Sequence, residues 1–214
     1  FELPAFDTVV SDVDGQVNYI LTKSIRITSD GRTATASAIE GTLCDVSNAD
    51  TTNIILNDLD DNNRLYLPEE MIAQNGIWIR NITSPETPWE ATVWHRVTNL
   101  NTQSLEGDDR FCYKFGYDSK HNLPYIEFPA NIGEIIGAGL NIKYVRTTGA
   151  TGNVAAKVLT KLADKTTVTS DRGVDITLIA EDGTNILLVG NQMGCSNGVD
   201  KETLNSAYNN FKRT

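Results

Sequence analysis

Carboxylates spaced for a calcium loop are the sharpest chemical signal in the sequence. Asp58, Asp60 and Asn62, with Glu69 at the twelfth place, match the positions from which an EF-hand loop supplies oxygen ligands. Position six needs glycine for its sharp turn and is Asn63 here, and Pro68 stands immediately before the bidentate position. No flanking helices are expected, so the stretch Asp58–Glu69 reads as a hydrated Asp/Asn turn, with a weak cation site as the alternative. Gly149-Ala150-Thr151-Gly152, followed by Asn153 and later Lys157, invites a phosphate-loop reading. That chemistry needs lysine directly after the last glycine and then Ser or Thr. Backbone geometry explains these glycines better. Gly133, Gly137 and Gly139 lack the spacing and the long following helix of a dinucleotide fingerprint.

Nucleophilic catalysis would have to use Cys112 with His95 or His121. Cys112 falls in a regularly alternating strand rather than at a strained elbow or a helix start, where thiolates are activated. The pairs Glu69-Glu70 and Asp108-Asp109 are adjacent in sequence and point apart, which suits solvated turns better than an acid/base pair. With two histidines and three cysteines but no C-x-x-C, a zinc site is not expected. The reading is of a chain with no catalytic residue, cofactor or metal. The aromatics remain. Trp78, Trp89, Trp94 and Tyr117 have core packing as their ordinary fate, and Trp89 and Trp94, beside the Pro85/Pro88 loop, are candidate interface anchors.

The elements that would position these residues read as strands. Val17–Thr28 is rich in β-branched and aromatic residues, and Asp30-Gly31 supplies a tight turn into Thr33–Ile39. Asn53–Leu56 reads as extended. Around Arg64–Asn81 the pattern is strand, one helical turn opened by Pro68 and closed by Asn75-Gly76, then a strand from Ile77. Trp89–Val97 alternates, and Arg110–Tyr117 places Phe111, Tyr113 and Phe115 on one face with Cys112 and Lys114 on the other. From Pro124 to Asn153 an aromatic strand, a glycine-punctuated turn, a second alternating strand and a G-x-x-G-N corner follow one another. Thr166–Ser170, Val174–Ile179 and Asn185–Val189 read as further strands. From Asp200, Leu204, Ala207, Tyr208 and Phe211 fall at i, i+3, i+4 and i+7, the stripe of an amphipathic helix. Leu204, Tyr208 and Phe211 join Trp89 and Trp94 as candidate interface residues.

The expected fold is therefore α+β and β-rich, with mostly antiparallel strands, short helices and a C-terminal amphipathic helix. Its division is into a β-rich unit over 1–148 and a smaller α+β segment over 149–214 that ends in a truncated helix. A chain of 214 residues can bury a core without disulfides. The net charge of −10, from 28 acidic against 18 basic residues, argues against nucleic acid as a partner. No apolar run approaches the roughly 20 residues that span a bilayer, so a soluble chain without a membrane partner is expected. The start at Phe1, without a leader-like stretch, reads as a piece of a longer protein.

Ile126–Asn153, I-E-F-P-A-N-I-G-E-I-I-G-A-G-L-N-I-K-Y-V-R-T-T-G-A-T-G-N, resembles the segment of baseplate J-like proteins in which these elements follow in that order. Ala38–Asp45, A-I-E-G-T-L-C-D, and Asn63–Ile79, N-R-L-Y-L-P-E-E-M-I-A-Q-N-G-I-W-I, are similar to the wedge branch of that family in contractile-tailed phages. Ser196–Tyr208 is similar to the start of its acidic helix. Where many members carry an F-G-D-G turn, this chain has Phe128-Pro129-Ala130-Asn131. The resemblance implies a structural subunit of the tail baseplate wedge, synthesised in the host cytoplasm and carried in the virion. It would be a homo-oligomer packed against itself and other wedge proteins. The alternative is a β-rich carbohydrate-binding or adhesin module of a tail or cell surface, which would present Trp89 or Trp94 on a concave face.

Overall fold

The structure is a computed structural model that describes residues 2–11, 17–27, 34–46, 54–68, 71–82, 89, 94–100, 110–137, 139–163, 167–169, 175–177, 190–191 and 194. In chain order the strands are β1 (Glu2–Leu3), β2 (Thr8–Ser11), β3 (Asn18–Leu21), β4 (Ile25–Arg26), β5 (Ala38–Glu40), β6 (Thr42–Asp45), β7 (Arg64–Tyr66) and β8 (Ile72–Asn81). They continue as β9 (His95–Arg96), β10 (Cys112–Asp118), β11 (Leu123–Glu127), β12 (Leu140–Arg146), β13 (Leu159–Leu162), β14 (Thr167–Thr169) and β15 (Asp175–Thr177). One short helix, α1 (Ile132–Ile135), and 3-10 turns at Leu56–Asp58 and Gly149–Gly152 complete the elements used below. The chain is β-rich, and its named strands pair antiparallel except for β9 with β10, which run parallel.

Two sheets enclose the main core. In the order β6-β12-β8, alternation on β12 sends Leu140, Ile142 and Tyr144 inward, opposite Ile79 and Ile77 of β8. In the order β7-β11-β10-β9, Leu65, Ile126, Tyr113 and Phe115 face the same core. Phe128, Ile132, Ile135 and Trp94 fill its end. Burial there pushes the Tyr113 phenol up to about 12, and its hydroxyl donates to the Ile77 carbonyl at 3.3 Å. On the outer face, Gly116 of β10 is opposite Tyr125 of β11, whose ring occupies the space a Cβ at Gly116 would need.

The third sheet, β13-β2-β3-β5, has its own smaller core of Leu3, Val9, Tyr19, Leu21, Leu159 and Leu162. It crosses the division drawn at 148/149, because β13 from the C-terminal side is hydrogen-bonded to β2. The expected pairing of the Val17 and Thr33 regions forms as β3 with β5, Tyr19 opposite Glu40, while Asp30-Gly31 lies outside the described residues. β4 leaves that hairpin to pair with β1.

Three further expectations fare differently. Asn75-Gly76 does not close a helical turn; it lies within β8. Between Ile77↔Tyr144 and Ile72↔Arg146 the register shifts, and Gly76 lets β8 bulge against the Val145 side chain, 3.0 Å from where a Cβ would stand. Of the extended Asn53–Leu56 segment, Asn53 lies outside the described residues, Ile54 makes a bridge to Leu140 and Leu56 opens the 3-10 turn. Thr166–Ser170 and Val174–Ile179 do form a strand pair, β14 with β15. Asn185–Val189 and the C-terminal helix carrying Leu204, Tyr208 and Phe211 lie outside the described residues.

Candidate functional site

Residues Ala38 to Asp45 pass from one sheet into another. β5 pairs with β3, and after Gly41 the chain continues as β6 against β12. Gly41 has φ +134° and donates its N–H to the Asn18 carbonyl at 2.9 Å. A strand that changes sheets needs a bend of this kind. Immediately before the bend, the Glu40 carboxylate accepts from the Thr147 hydroxyl (2.5 Å), the Thr148 hydroxyl (2.6 Å) and the Thr148 N–H (3.1 Å). The Tyr19 hydroxyl donates to the Gly152 carbonyl at 2.7 Å. Gly152 thus makes room for Glu40, whose side chain fills the space of a Cβ there, while Gly149 takes φ +69°. The loop's anion partner is a carboxylate of its own chain, which explains the corner without a phosphate.

The outer face of the β6-β12-β8 sheet carries the aromatic site. Strand alternation puts Trp78 and Arg80 of β8 there, with Lys143 opposite Trp78 and Asp45 opposite Lys143. Lys143 Nζ lies 2.6 Å from Asp45 Oδ1. Trp89 is half-buried over this face: the Arg80 guanidinium sits 4.2 Å and Lys143 Nζ 5.3 Å from its ring centroid, distances at which a ring face attracts a cation. Phe6 meets Trp78 edge-on at 5.0 Å and Trp89 at 6.1 Å. Trp94 is buried, donates its Nε1–H to Asn81 Oδ1 at 2.9 Å, and meets Phe111 and Phe128 edge-on at 5.6 and 5.7 Å.

Of the two candidate anchors, Trp94 is therefore mostly a core residue, whereas Trp89 belongs to the sheet's outer face. Both, with Trp78, line one open cleft of about 460 Å3, bounded also by Ala38 and Ile39 of β5 and by Ile77. Arg80 and Lys143 escape a reading based on rare residue types; the alternation I-W-I-R puts Arg80 on the face of Trp78 and N-I-K-Y sets Lys143 apart from Ile142 and Tyr144, and the β12-β8 register brings the two strands' outer faces together. Phe6 gives no such signal; only the tertiary fold brings it there.

Elsewhere the sequence's chemical candidates are occupied structurally. Asp58 Oδ2 accepts the Ile55 N–H at 2.7 Å, and Asp60 Oδ1 accepts those of Asn62 and Arg64 at 2.9 and 2.8 Å. Asn63 takes φ +57° at the place where a calcium loop uses glycine, while Glu69 lies outside the described residues. Among the described residues no three His, Cys, Asp or Glu side chains gather in a metal-binding group. His95 is in register with Cys112 on the neighbouring parallel strand, but Cys112 is 0% exposed and out of reach of a substrate. No helix among the described residues is long and apolar enough to cross a membrane.

At the β10-β11 turn, Asp118 Oδ2 accepts from the Tyr66 hydroxyl at 3.0 Å and lies 2.7 Å from His121 Nδ1; its Oδ1 accepts the Lys120 N–H at 2.8 Å. The His121 contact first, and the Lys120 N–H next, hold the Asp118 carboxyl well below the usual carboxylate range. Its stabilising effect is complete above the unfolded value near pH ~4 and is lost as the pH falls through the lower folded value. The stability gap between the wild type and Asp118→Asn, measured by urea denaturation, is expected to be full at neutral pH and to close in acid. A gap of constant size down to the acid-unfolding limit would contradict this.

Comparison with protein-family models, with curated proteins and with solved structures gives no match to this chain.

Proposed function

We propose that the chain is a structural subunit of a contractile-tail phage baseplate wedge, acting through self-association and contacts with other wedge proteins and carrying no catalytic site. One observation carries this reading. The stretch that resembles baseplate J-like proteins and the two that are similar to their wedge branch each contribute one strand to a single sheet: Ile126–Asn153 supplies β12, Ala38–Asp45 β6 and Asn63–Ile79 most of β8. The first two are further tied by Glu40 on Thr147 and Thr148. Residues scattered over more than a hundred positions of sequence therefore lie in one sheet, which supports reading them together. Its place would be the virion tail baseplate, after synthesis in the host cytoplasm.

In this reading Leu204, Tyr208 and Phe211, spaced as the stripe of an amphipathic helix, would be covered only between subunits. Light scattering over a dilution series is expected to give a mass that rises with concentration, and co-expression with other wedge proteins of a contractile-tail baseplate is expected to give a stable complex. The double variant Tyr208→Asp/Phe211→Asp is expected to weaken both at least about tenfold, or ~1.4 kcal/mol, with an unchanged β-sheet circular dichroism spectrum. A chain that stays monomeric throughout and ignores those partners would overturn the reading.

A further inference from the structure

We propose that the three-tryptophan cleft between β5 and β8 binds a short neutral oligosaccharide. The inference stands apart from the assembly reading, since it rests only on the cleft's lining. Its volume of about 460 Å3 falls within the roughly 300–1,000 Å3 of small-ligand sites.

A pyranose ring has an apolar face of C–H bonds and an equatorial rim of hydroxyls, so its receptor must offer flat apolar surface and hydrogen-bonding groups side by side. The cleft does both. Trp78 and Trp89 supply half-buried indoles whose positions are already set by Phe6 and Arg80, which removes the ordering cost of a mobile aromatic platform. Trp94 closes one end with its own N–H committed to Asn81. The indole N–H groups of Trp78 and Trp89, by contrast, donate to no other described residue and are not among the described residues' buried polar atoms without a partner, so they stay open to a ligand's oxygens. The side chains of Lys23, Ser37 and Asn75, also in the lining, enter no hydrogen bond with another described residue. Thr22, also in the lining, donates its hydroxyl to the Ser37 carbonyl at 3.1 Å.

Donors therefore outnumber acceptors along the lining, which suits hydroxyl and ring oxygens. Lys23 is the only charged side chain of the lining and is exposed, while the Arg80 and Lys143 cations beside Trp89 lie over its ring, Lys143 paired with Asp45; a single exposed ammonium is screened and adds little to binding of an anion. A neutral sugar is the ligand this lining fits.

All three tryptophans of the chain line this cleft, so intrinsic fluorescence reads it without background. The experiment titrates the chain with cellotetraose, maltotetraose and chitotetraose, with oligogalacturonate as the acidic comparison. At least one neutral sugar is expected to shift the emission saturably, with a Kd on the order of 0.1–1 mM. Trp78→Ala is expected to weaken that binding at least about tenfold and Asn75→Ala about threefold. Asn75 is exposed, so its variant keeps the test open should Trp78→Ala fail to fold. The proposal is overturned by an unchanged emission with all three neutral sugars at about 10 mM, by a shift that survives both substitutions, or by binding of oligogalacturonate alone. A monomer that binds sugar would end the assembly reading and leave this one standing.

Discussion

Gly41→Val is expected to destabilise the protein by about 4 kcal/mol and to lower its thermal midpoint by about 10 °C. A Cβ at position 41 would stand 2.1 Å from the Arg146 carbonyl oxygen, 2.8 Å from the carbonyl carbon and 2.7 Å from Val145 Cγ1. Two of these three atoms are backbone, in a residue paired with Thr42 across the β6-β12 ladder, so no side-chain rotation relieves the clash. The φ of +134° adds strain for any L side chain. Both penalties come from the Cβ alone, so Gly41→Ala should cost nearly as much as Gly41→Val. Gly137 is the internal comparison: its φ is +55° but nothing lies within 4 Å of a Cβ there, so Gly137→Ala should cost only ~1–2 kcal/mol. Urea denaturation of the two alanine variants measures the difference. Equal costs would mean that the passage of the chain between sheets does not depend on close approach at Gly41.

What the sequence discloses of this fold is local. β10 and β12 are legible because alternation over seven residues reports a half-buried strand directly, and β11 because its short run of aromatic and β-branched residues favours a strand. β8 is half-legible: Asn-Gly is the chemistry of a turn and also of a bulge, and only the partner strand decides which. Gly76 bulges because Val145 is already in place beside it. Pairings distant in sequence are silent. Nothing in Thr8–Ser11 announces Leu159–Leu162 as its neighbour, so a boundary drawn from glycine and composition at 148/149 passes through a sheet. The same holds for the site. Trp89 stands out by residue type, but its setting depends on Arg80 and Lys143, whose outward facing within their own strands is legible while the pairing that joins them is not, and on Phe6, whose place is not. The Glu40 anchor is likewise a product of tertiary structure. Its threonine partners lie 107 and 108 residues away, and the glycines beside them imitate a phosphate loop until the carboxylate that fills it is seen.

Phe128→Ala is expected to cost about 3–5 kcal/mol, and the reason joins the core to the tryptophan cleft. Phe128 is 2% exposed and follows β11 into the end of the main core, where its N–H donates to the Asn63 carbonyl at 3.0 Å. Its ring meets Trp94 at 82° and 5.7 Å, an edge-to-face contact that adds about 1 kcal/mol to the area buried. Trp94 is otherwise held by Phe111 and by its bond to Asn81. Removing the Phe128 ring leaves the indole with a void on one side, so its emission should move to longer wavelength before global unfolding begins. Phe128→Leu refills most of the volume but not the edge contact, and should cost only ~1–2 kcal/mol with a smaller spectral change. Sugar binding separates stability from shape: if Trp94 closes the cleft, Phe128→Ala should weaken oligosaccharide binding under conditions where the variant is still folded, while Phe128→Leu leaves it within about twofold. Equal binding by both would place the recognition surface on Trp78 and Trp89 alone and reduce Trp94 to a residue of the core.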